Sequence, residues 1–526
     1  MLLFNNKTPK KINFNGKNVA KVIYNGIVVW LEKVLKSITG YPITLTDSVG
    51  EDLVDYKVYG DSVQDGIPIP DAPIEVESVG ELLNYINIDT LENGTIRSDD
   101  GKNHEQENRV RTGFIYLKAG TYCLSTVGTK DDVRFGSYVH RYSNVNVTSW
   151  IKTIACTDIF TGTRNYKVFT LDNACYCRFV LLPTNTSSIT NLSIENISNY
   201  KPQLELGNVP SDYEPYGYKI PITVKGKNIW NTALVTEYNS ITYEGKLEVS
   251  SWWTSTYPSA AIYSIPVKPN TTYSFYSSFI NNYSVAEYSI EDKTLYKVHY
   301  INDANRNYTF TTSANTYYLK ILGNSNLELQ LEEGDKVTGY ERYIEPITTN
   351  IYLKEPLRRL GNYADYIDFE KKQVVRNITE YIVPSDINWD TELGDSYNLI
   401  RFKITNNQIV GQKVPFTEQK CNYTVCDEQT TKNTAQGVSI YYSSSLGGTF
   451  FRARDTVNFS KPSEYRAFIK SCSVNGKPFK VYFDSYGQTY ETITLPNIPT
   501  HKGTTIIEVD TEVLPSNMEV EYYGKE

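Results

Sequence analysis

Histidine and methionine are scarce in this chain, with four and two residues among 526. The histidines, at 104, 140, 299 and 501, lie apart, without the His-Glu-x-x-His spacing of a helix-borne zinc hydrolase. Neither a Gly-x-Ser-x-Gly elbow nor a Gly-rich phosphate loop occurs, so no catalytic residue is assigned. Basic blocks are missing and the net charge is −8, which argues against a nucleic-acid partner. No run of about twenty apolar residues is present, so no membrane insertion is expected. The start, Met1-Leu2-Leu3-Phe4-Asn5-Asn6-Lys7, lacks the basic flank and longer apolar core of a secretory signal. Cysteines number seven, and only Cys175/Cys177 and Cys421/Cys426 are closely spaced. Structural zinc takes four such ligands, so buried reduced thiols are expected, with no metal and no cofactor. Cys175 and Cys177 belong on one face of a strand.

What the chain has in excess is tyrosine, forty-four of them, together with a phrase used twice. Residues 203–216 read QLELGNVPSDYEPY and residues 330–343 read QLEEGDKVTGYERY, seven identities in fourteen positions. A recurrence of that length marks two copies of one structural unit. Tyr122 in Ala119-Gly120-Thr121-Tyr122 answers Tyr273 in Pro269-Asn270-Thr271-Thr272-Tyr273, at an offset of 151 against 127 for the phrase. The first copy therefore carries longer loops, with a long insert expected around 126–166. Leu327, Leu329 and Leu331 alternate with Glu328, Gln330 and Glu332, the period of a strand with one wet face. Short strands bounded by Asn, Gly, Ser and Pro predict a mainly β chain of tandem antiparallel, jelly-roll-like sandwiches.

The expected organisation is a β-meander over 1–35, an extended β linker over 36–100, sandwich modules over 101–226 and 227–351, and a C-terminal β domain over 352–526. Asn15-Gly16 and Asn25-Gly26 are tight-hairpin signals, and they predict a three-stranded meander carrying Phe14, Tyr24 and Trp30. So small a sheet must dock on something larger. In the C-terminal domain, Asp365–Phe369 and Val374–Arg376 flank a polar turn, a hairpin signal. Ser463–Ser471, after Pro462, is the one short helix expected, with Tyr465, Phe468 and Ile469 on one face.

Several side chains are candidates for function. Glu205/Glu214 and Glu332/Glu341 recur together, but a duplicated acidic site is a poor enzyme design, so the phrase reads as a structural seam. Tyr213, Tyr216, Tyr340 and Tyr343 would pack its strand end. Trp252 and Trp253 point to opposite faces if they share a strand, so one of them is available for a sugar ring or a subunit contact. Tyr257, Tyr276 and Tyr283 would extend that surface, and core packing is the competing assignment. His140 is expected in a solvated loop, as is the oxygen-rich run Asp99–Glu105, whose spacing departs from known calcium loops.

Several of these phrases resemble tail and baseplate-associated proteins of bacteriophages that infect low-GC Gram-positive bacteria. They include the meander ending Val28-Val29-Trp30, the run Tyr56–Gly66 into Pro70–Ile74, the doubled QLE phrase and Gly226–Asn231. Asp365–Phe369 with Val374–Arg376, Leu495–Pro499, Lys502–Thr505 and Pro515–Val520 fit as well. The doubled phrase is similar to the closing strand of carbohydrate-binding-module-like sandwiches in those proteins. The resemblance implies a non-enzymatic virion protein of the tail or baseplate, assembled in the host cytoplasm and attached through its meander. Its partners would be other tail proteins, a host-surface glycan and further copies of itself, with a trimer favoured. Alternatives left open are a tail-borne polysaccharide depolymerase and a purely architectural module.

Overall fold

In a computed structural model of the chain, the described residues are 12–14, 17–19, 21–24, 27–31, 33–129, 131–143, 145–184, 191–231, 240–241, 247–248, 265–277, 283–289, 295–301, 307–322, 328–384, 399–404, 419–426, 436–443, 445, 447–474 and 477–525. They form a mainly β structure with a single α-helix among the described residues.

A twelve-stranded antiparallel sheet is the spine. Its order is Glu81–Leu82, Tyr218–Lys225, Lys502–Val509, Ile43–Val49, Asn517–Lys525, Asp55–Tyr59, Tyr366–Asp368, Gln373–Ile382, Lys480–Thr492 and Gln419–Cys421. Lys33–Gly40 also pairs with Asn517–Lys525, and Ile347–Leu353 with Tyr218–Lys225. Alternation builds its inner face: Ile220, Ile222 and Val224 from one strand, Met518, Val520 and Tyr522 from another. They cluster with Ile43, Leu45, Val58, Ile367 and Ile507. Each such side chain contributes about 1.5–3 kcal/mol on burial, so this face holds together segments from both ends of the chain.

This sheet corrects the expected organisation. Residues 36–100 are not a linker: Ile43–Val49 and Asp55–Tyr59 are interior strands, paired with Lys502–Val509 and Asn517–Lys525. The alternating runs are short and their partners stand more than 300 residues away, so no local period announces the pairing. Among the described residues, the N-terminal strands pair in twos, Ile12–Phe14 with Lys17–Val19 and Lys21–Tyr24 with Ile27–Leu31, rather than as one three-stranded meander. Phe14 faces Lys17 across Asn15-Gly16, and Tyr24 faces Ile27 across Asn25-Gly26.

Both sandwiches are insertions into the spine. The first leaves after Glu81–Leu82 and returns at Tyr218–Lys225; the second fills the space between Tyr218–Lys225 and Ile347–Leu353. Each has a four-stranded sheet of the same order. In the first it runs Ile115–Leu117, Cys175–Arg178, Tyr138–Tyr142, Trp150–Ala155; in the second, Ile265–Pro266, Tyr318–Leu322, Tyr283–Tyr288, Leu295–Ile301. The facing sheets also correspond. Arg164–Leu171, Gly120–Val127 and Gln203–Leu206 match Asn307–Thr311, Thr272–Ser277 and Leu329–Glu333. Register is kept, since Tyr122 faces Leu206 and Tyr273 faces Glu333, positions related by the offsets 151 and 127 read from the sequence. Tyr122 pairs with Phe169 and Tyr273 with Phe310, separations of 47 and 37 residues, so the 126–166 segment carries about ten extra residues. Among the described residues, the edge strand Ile159–Thr161 and Val133–Phe135 of a third sheet, with Glu92–Asn93 and Val110–Arg111, have no counterpart in the second module. That third sheet, and Asn84 below, move the start of the first module from 101 to about 82.

The C-terminal lobe packs the helix Pro462–Val474 on the strands Ile400–Lys403, Gly437–Ser443 and Gly448–Arg454. Tyr465, Ile469 and Cys472 are buried at helical spacing and Phe468 is partly buried, as the sequence pattern predicts. Proline suits the first helical position, and the Ser460 hydroxyl donates to Glu464 Oε2 at 2.8 Å. The predicted hairpin is present, with Asp368 facing Gln373.

Candidate functional site

The doubled phrase is a seam, built the same way twice. In the first module Asn84 is fully buried, and its Oδ1 accepts from the Ile86 and Leu204 amides at 2.9 and 3.1 Å. Its Nδ2 donates to Pro202 O and Glu214 O. In the second, Asn228 Oδ1 accepts from the Trp230 and Leu331 amides at 3.0 and 3.1 Å, and Nδ2 donates to Leu329 O and Glu341 O. Gln203 donates to Glu205 and accepts from the Glu214 amide; Gln330 does the same with Glu332 and Glu341. The Ser211 and Thr338 hydroxyls and amides close both Glu205 and Glu332. These carboxylates are thus committed to holding a loop. Of the phrase tyrosines, Tyr343 donates to Glu345 Oε2 at 3.1 Å and Tyr213 lies under Lys201 Nζ at 5.6 Å.

The last glutamate of each phrase reaches the spine. Glu214 takes Lys219 Nζ at 2.5 Å and the Tyr352 hydroxyl, and Glu341 takes the Thr504 amide at 3.0 Å and its hydroxyl at 2.9 Å. Gly503 makes room for this contact: at φ +96°, a Cβ there would stand 2.9 Å from the Glu341 carboxyl carbon.

On the outer face of the spine lies a tyrosine-lined trough of about 620 Å³. Val58 and Ile367 point into the core, so their neighbours Tyr59 and Tyr366, paired across the strands, point outward. Their rings lie 5.0 Å apart at 31°. Asn517 faces Tyr59 from the next strand. A tight hairpin, Arg359–Leu360 with Tyr363–Ala364, adds Asn362 and Tyr363 at its turn, where Gly361 has φ +51°. The fully buried Asp365 fixes that hairpin. It accepts from the Arg358, Asn377 and Ile378 amides, and Arg376 lies within 3.4 Å. Asn377 Nδ2 in turn donates to Ala364 O at 2.6 Å. Burial, then Glu519, raises the Tyr59 hydroxyl above the ordinary tyrosine range, so it remains a hydrogen-bond donor at neutral pH.

A second cleft, about 740 Å³, lies between the first module and the 63–77 segment. Asp65, Glu75, Glu77 and Asp172 line it against Lys118 and Lys477, with Tyr116 its one aromatic wall. One acidic group among the described residues, Asp55, Asp368 and Glu370, brings oxygens within 4.8 Å of one another. Lys57 and Lys371 already pair with Asp55 and Asp368 at 3.0 and 3.3 Å, supplying the positive charge there.

Of the candidate surface residues, Trp252, Trp253 and Tyr257 lie outside the described residues. Tyr276 is half-buried in the strand Thr272–Ser277, with its ring 6.3 Å from Tyr340. Tyr283 opens the strand Tyr283–Tyr288, and Phe14, Tyr24 and Trp30 lie in the N-terminal hairpins; the side chains of these four lie outside the description. His140 is corrected: it sits in the strand Tyr138–Tyr142, 2% exposed, and burial with the nearby Arg178 lowers its pKa to about 4. None of the seven cysteines is in a disulfide, five of them are buried, and Cys175 and Cys177 share a face with sulfurs 3.8 Å apart.

Sequence reasoning missed the trough, whose residues come from seven strands and a turn, and a buried pair in the second module. Glu287 Oε1 lies 2.6 Å from His299 Nε2, and Glu287 Oε2 accepts from the Ser313 amide and the Thr316 hydroxyl. Burial alone would raise the Glu287 carboxyl, but those hydrogen bonds outweigh it and bring the pKa down to about 2.

No protein-family model matches the chain, and no curated protein matches it significantly. Among solved structures it is weakly similar to an oxalate decarboxylase of Lactobacillus farciminis in a formate complex. That match has 10% identity, covers 47% of this chain and 80% of the other, and has a TM-score of 0.10. A mutant of Bacillus subtilis oxalate decarboxylase matches at 9% identity over 44% of this chain and 71% of the other, with a TM-score of 0.09. Likenesses at these scores carry no argument about fold or activity.

Proposed function

We propose that this chain is a non-enzymatic structural protein of a bacteriophage tail or baseplate that contributes to host-surface adsorption through its sandwich modules. The observation that carries this reading is the way both sandwiches are mounted. Each is an insertion on one sheet, closed by the same Asn and Gln contacts and tied to the sheet by the last glutamate of its phrase. Such mounting suits display: the spine holds the modules and their loops stay free to vary. The recurring Glu205 and Glu332 are engaged in loop closure, which supports a structural role for the phrase. The N-terminal hairpins are assigned the attachment role, with other tail proteins as partners and a homotrimer as the assembled form. Weak contacts from each module and each copy would then add by avidity, with gains on the order of 10²–10⁴ over one site.

The test is saturable binding of the purified full-length protein to intact cells of low-GC Gram-positive candidate hosts, beside a version lacking residues 1–35. Binding by both is expected. Binding by neither, with folded protein across the host panel, would leave the architectural alternative. Release of oligosaccharides from capsule or wall would replace this reading with a depolymerase.

A further inference from the structure

We propose that the tyrosine-lined trough on the outer face of the spine is a binding site for a neutral oligosaccharide. The inference rests on the adsorption reading for its biological setting but not for its chemistry. A pyranose ring presents C–H-rich faces and an equatorial belt of hydroxyls. It is matched by exposed aromatic faces flanked by planar groups that both donate and accept. The trough supplies both kinds. Tyr59, Tyr363 and Tyr366 provide the aromatic walls; Asn362, Asn377 and Gln488 provide amides. At about 620 Å³ it falls within the roughly 300–1,000 Å³ range of small-ligand sites.

Charge selects among ligands. Arg359 and Glu519 are the lining's one cation and one anion, so there is no net field for a phosphate or a polyacid. The larger cleft beside the first module holds four carboxylates against two lysines and a single tyrosine, which suits a neutral sugar less well. Preorganisation is the second argument. Tyr363 is 39% exposed, yet its hairpin is fastened by buried Asp365 and by Asn377. An exposed ring on a fixed turn loses little freedom when a ligand stacks on it.

The experiment uses the full-length protein on an array of neutral and acidic oligosaccharides, followed by calorimetric titration with the best neutral probe. Tyr363→Ala should weaken that binding by about tenfold or more, with the melting temperature unchanged. Tyr363→Phe should retain most of it, and Asn362→Ala should weaken it by a smaller factor. Equal binding by Tyr363→Ala and the parent would overturn the site, whatever the cell-binding result. Cell binding without recognition of any oligosaccharide would overturn the ligand assignment and point to a protein receptor, leaving the adsorption reading in place. Oligosaccharide binding at the trough without cell binding would uphold the site and remove the adsorption role. A shift in oligomeric state on Tyr363→Ala, without a change in sugar affinity, would make the trough a subunit contact and overturn the proposal.

Discussion

Both sandwiches bury charge, but with different groups: the first sets Lys167 opposite core residue Leu124 and pairs it with Asp158, whereas the second sets a Glu–His pair among its core residues. In the first, Arg178 stands on the outer face of the four-stranded sheet, donating to Thr112 O and Asn103 Oδ1 beneath the extra third sheet. In the second, Glu287 and His299 face inward, opposite core residues Leu319 and Val285, with His299 against Phe310. Away from the spine, the two copies have solved polar burial independently. Where the chain crosses itself beside the spine, they agree in the Asn and Gln contacts. The difference separates what the mounting demands from what a sandwich merely tolerates. A chain that must enter, cross itself and leave beside one sheet needs a fixed crossing, whereas the interior needs only satisfied polar groups.

The sharpest way to break the comparison is at the crossing. Asn84→Ala and Asn228→Ala each strip two amides and two carbonyls of a buried partner. Each should cost about 2–4 kcal/mol, read as a lower midpoint in urea unfolding. Equal losses at both sites would establish one mounting used twice. A loss at Asn84 alone would mean that the second copy is held by its other contacts. Asn→Asp at either position keeps the acceptor but sets a carboxylate oxygen against two carbonyls, so it should not rescue.

How much of this was legible in the sequence follows from the same contrast. The QLE phrase was visible because its strand and its loop are both constrained, leaving seven identities in fourteen positions. Its asparagine partner was not. Leu82-Leu83-Asn84-Tyr85-Ile86 and Gly226-Lys227-Asn228-Ile229-Trp230 share only the asparagine, because the flanking side chains pack into different cores. The helix announced itself through a local period, whereas the spine joins Asp55–Tyr59 to Asn517–Lys525, a pairing no local pattern encodes. The trough was hidden for the same reason: Tyr59, Tyr363, Gln488 and Asn517 meet only after the sheet has formed.

Acid is the next test, because it acts on the interior where the copies differ. The folded value of Glu287, about 2, lies below its ordinary 4.5. Its contribution is therefore complete above about pH 4.5 and is lost as the pH falls toward 2. The shift corresponds to about 3 kcal/mol. Amide hydrogen exchange between pH 5 and pH 2.5 should show the strands Tyr283–Tyr288 and Leu295–Ile301 opening before their counterparts Tyr138–Tyr142 and Trp150–Ala155. Glu287→Gln should lower stability at neutral pH and abolish that part of the acid dependence. Unchanged acid sensitivity in the variant would locate the titrating group elsewhere.

The smallest effect belongs to the two glutamates that tie each module to the spine. Glu214 and Glu341 have side chains 20% and 24% exposed, so solvent screens their ion pairs with Lys219 and Lys227. Pairs so placed contribute about 1 kcal/mol or less. Their hydrogen bonds differ, however. Glu214 is tied to a tyrosine hydroxyl on Ile347–Leu353, and Glu341 to a backbone amide and a hydroxyl on Lys502–Val509. Glu214→Gln should therefore lose mainly the ionic part, shrinking further in 0.5 M salt, where the Debye length is only a few ångströms. Glu341→Gln retains an acceptor for Thr504 and should depend less on salt. A larger salt dependence for Glu341→Gln than for Glu214→Gln would reverse that assignment. It would make the second module, with its direct backbone tether, the more electrostatically held of the two.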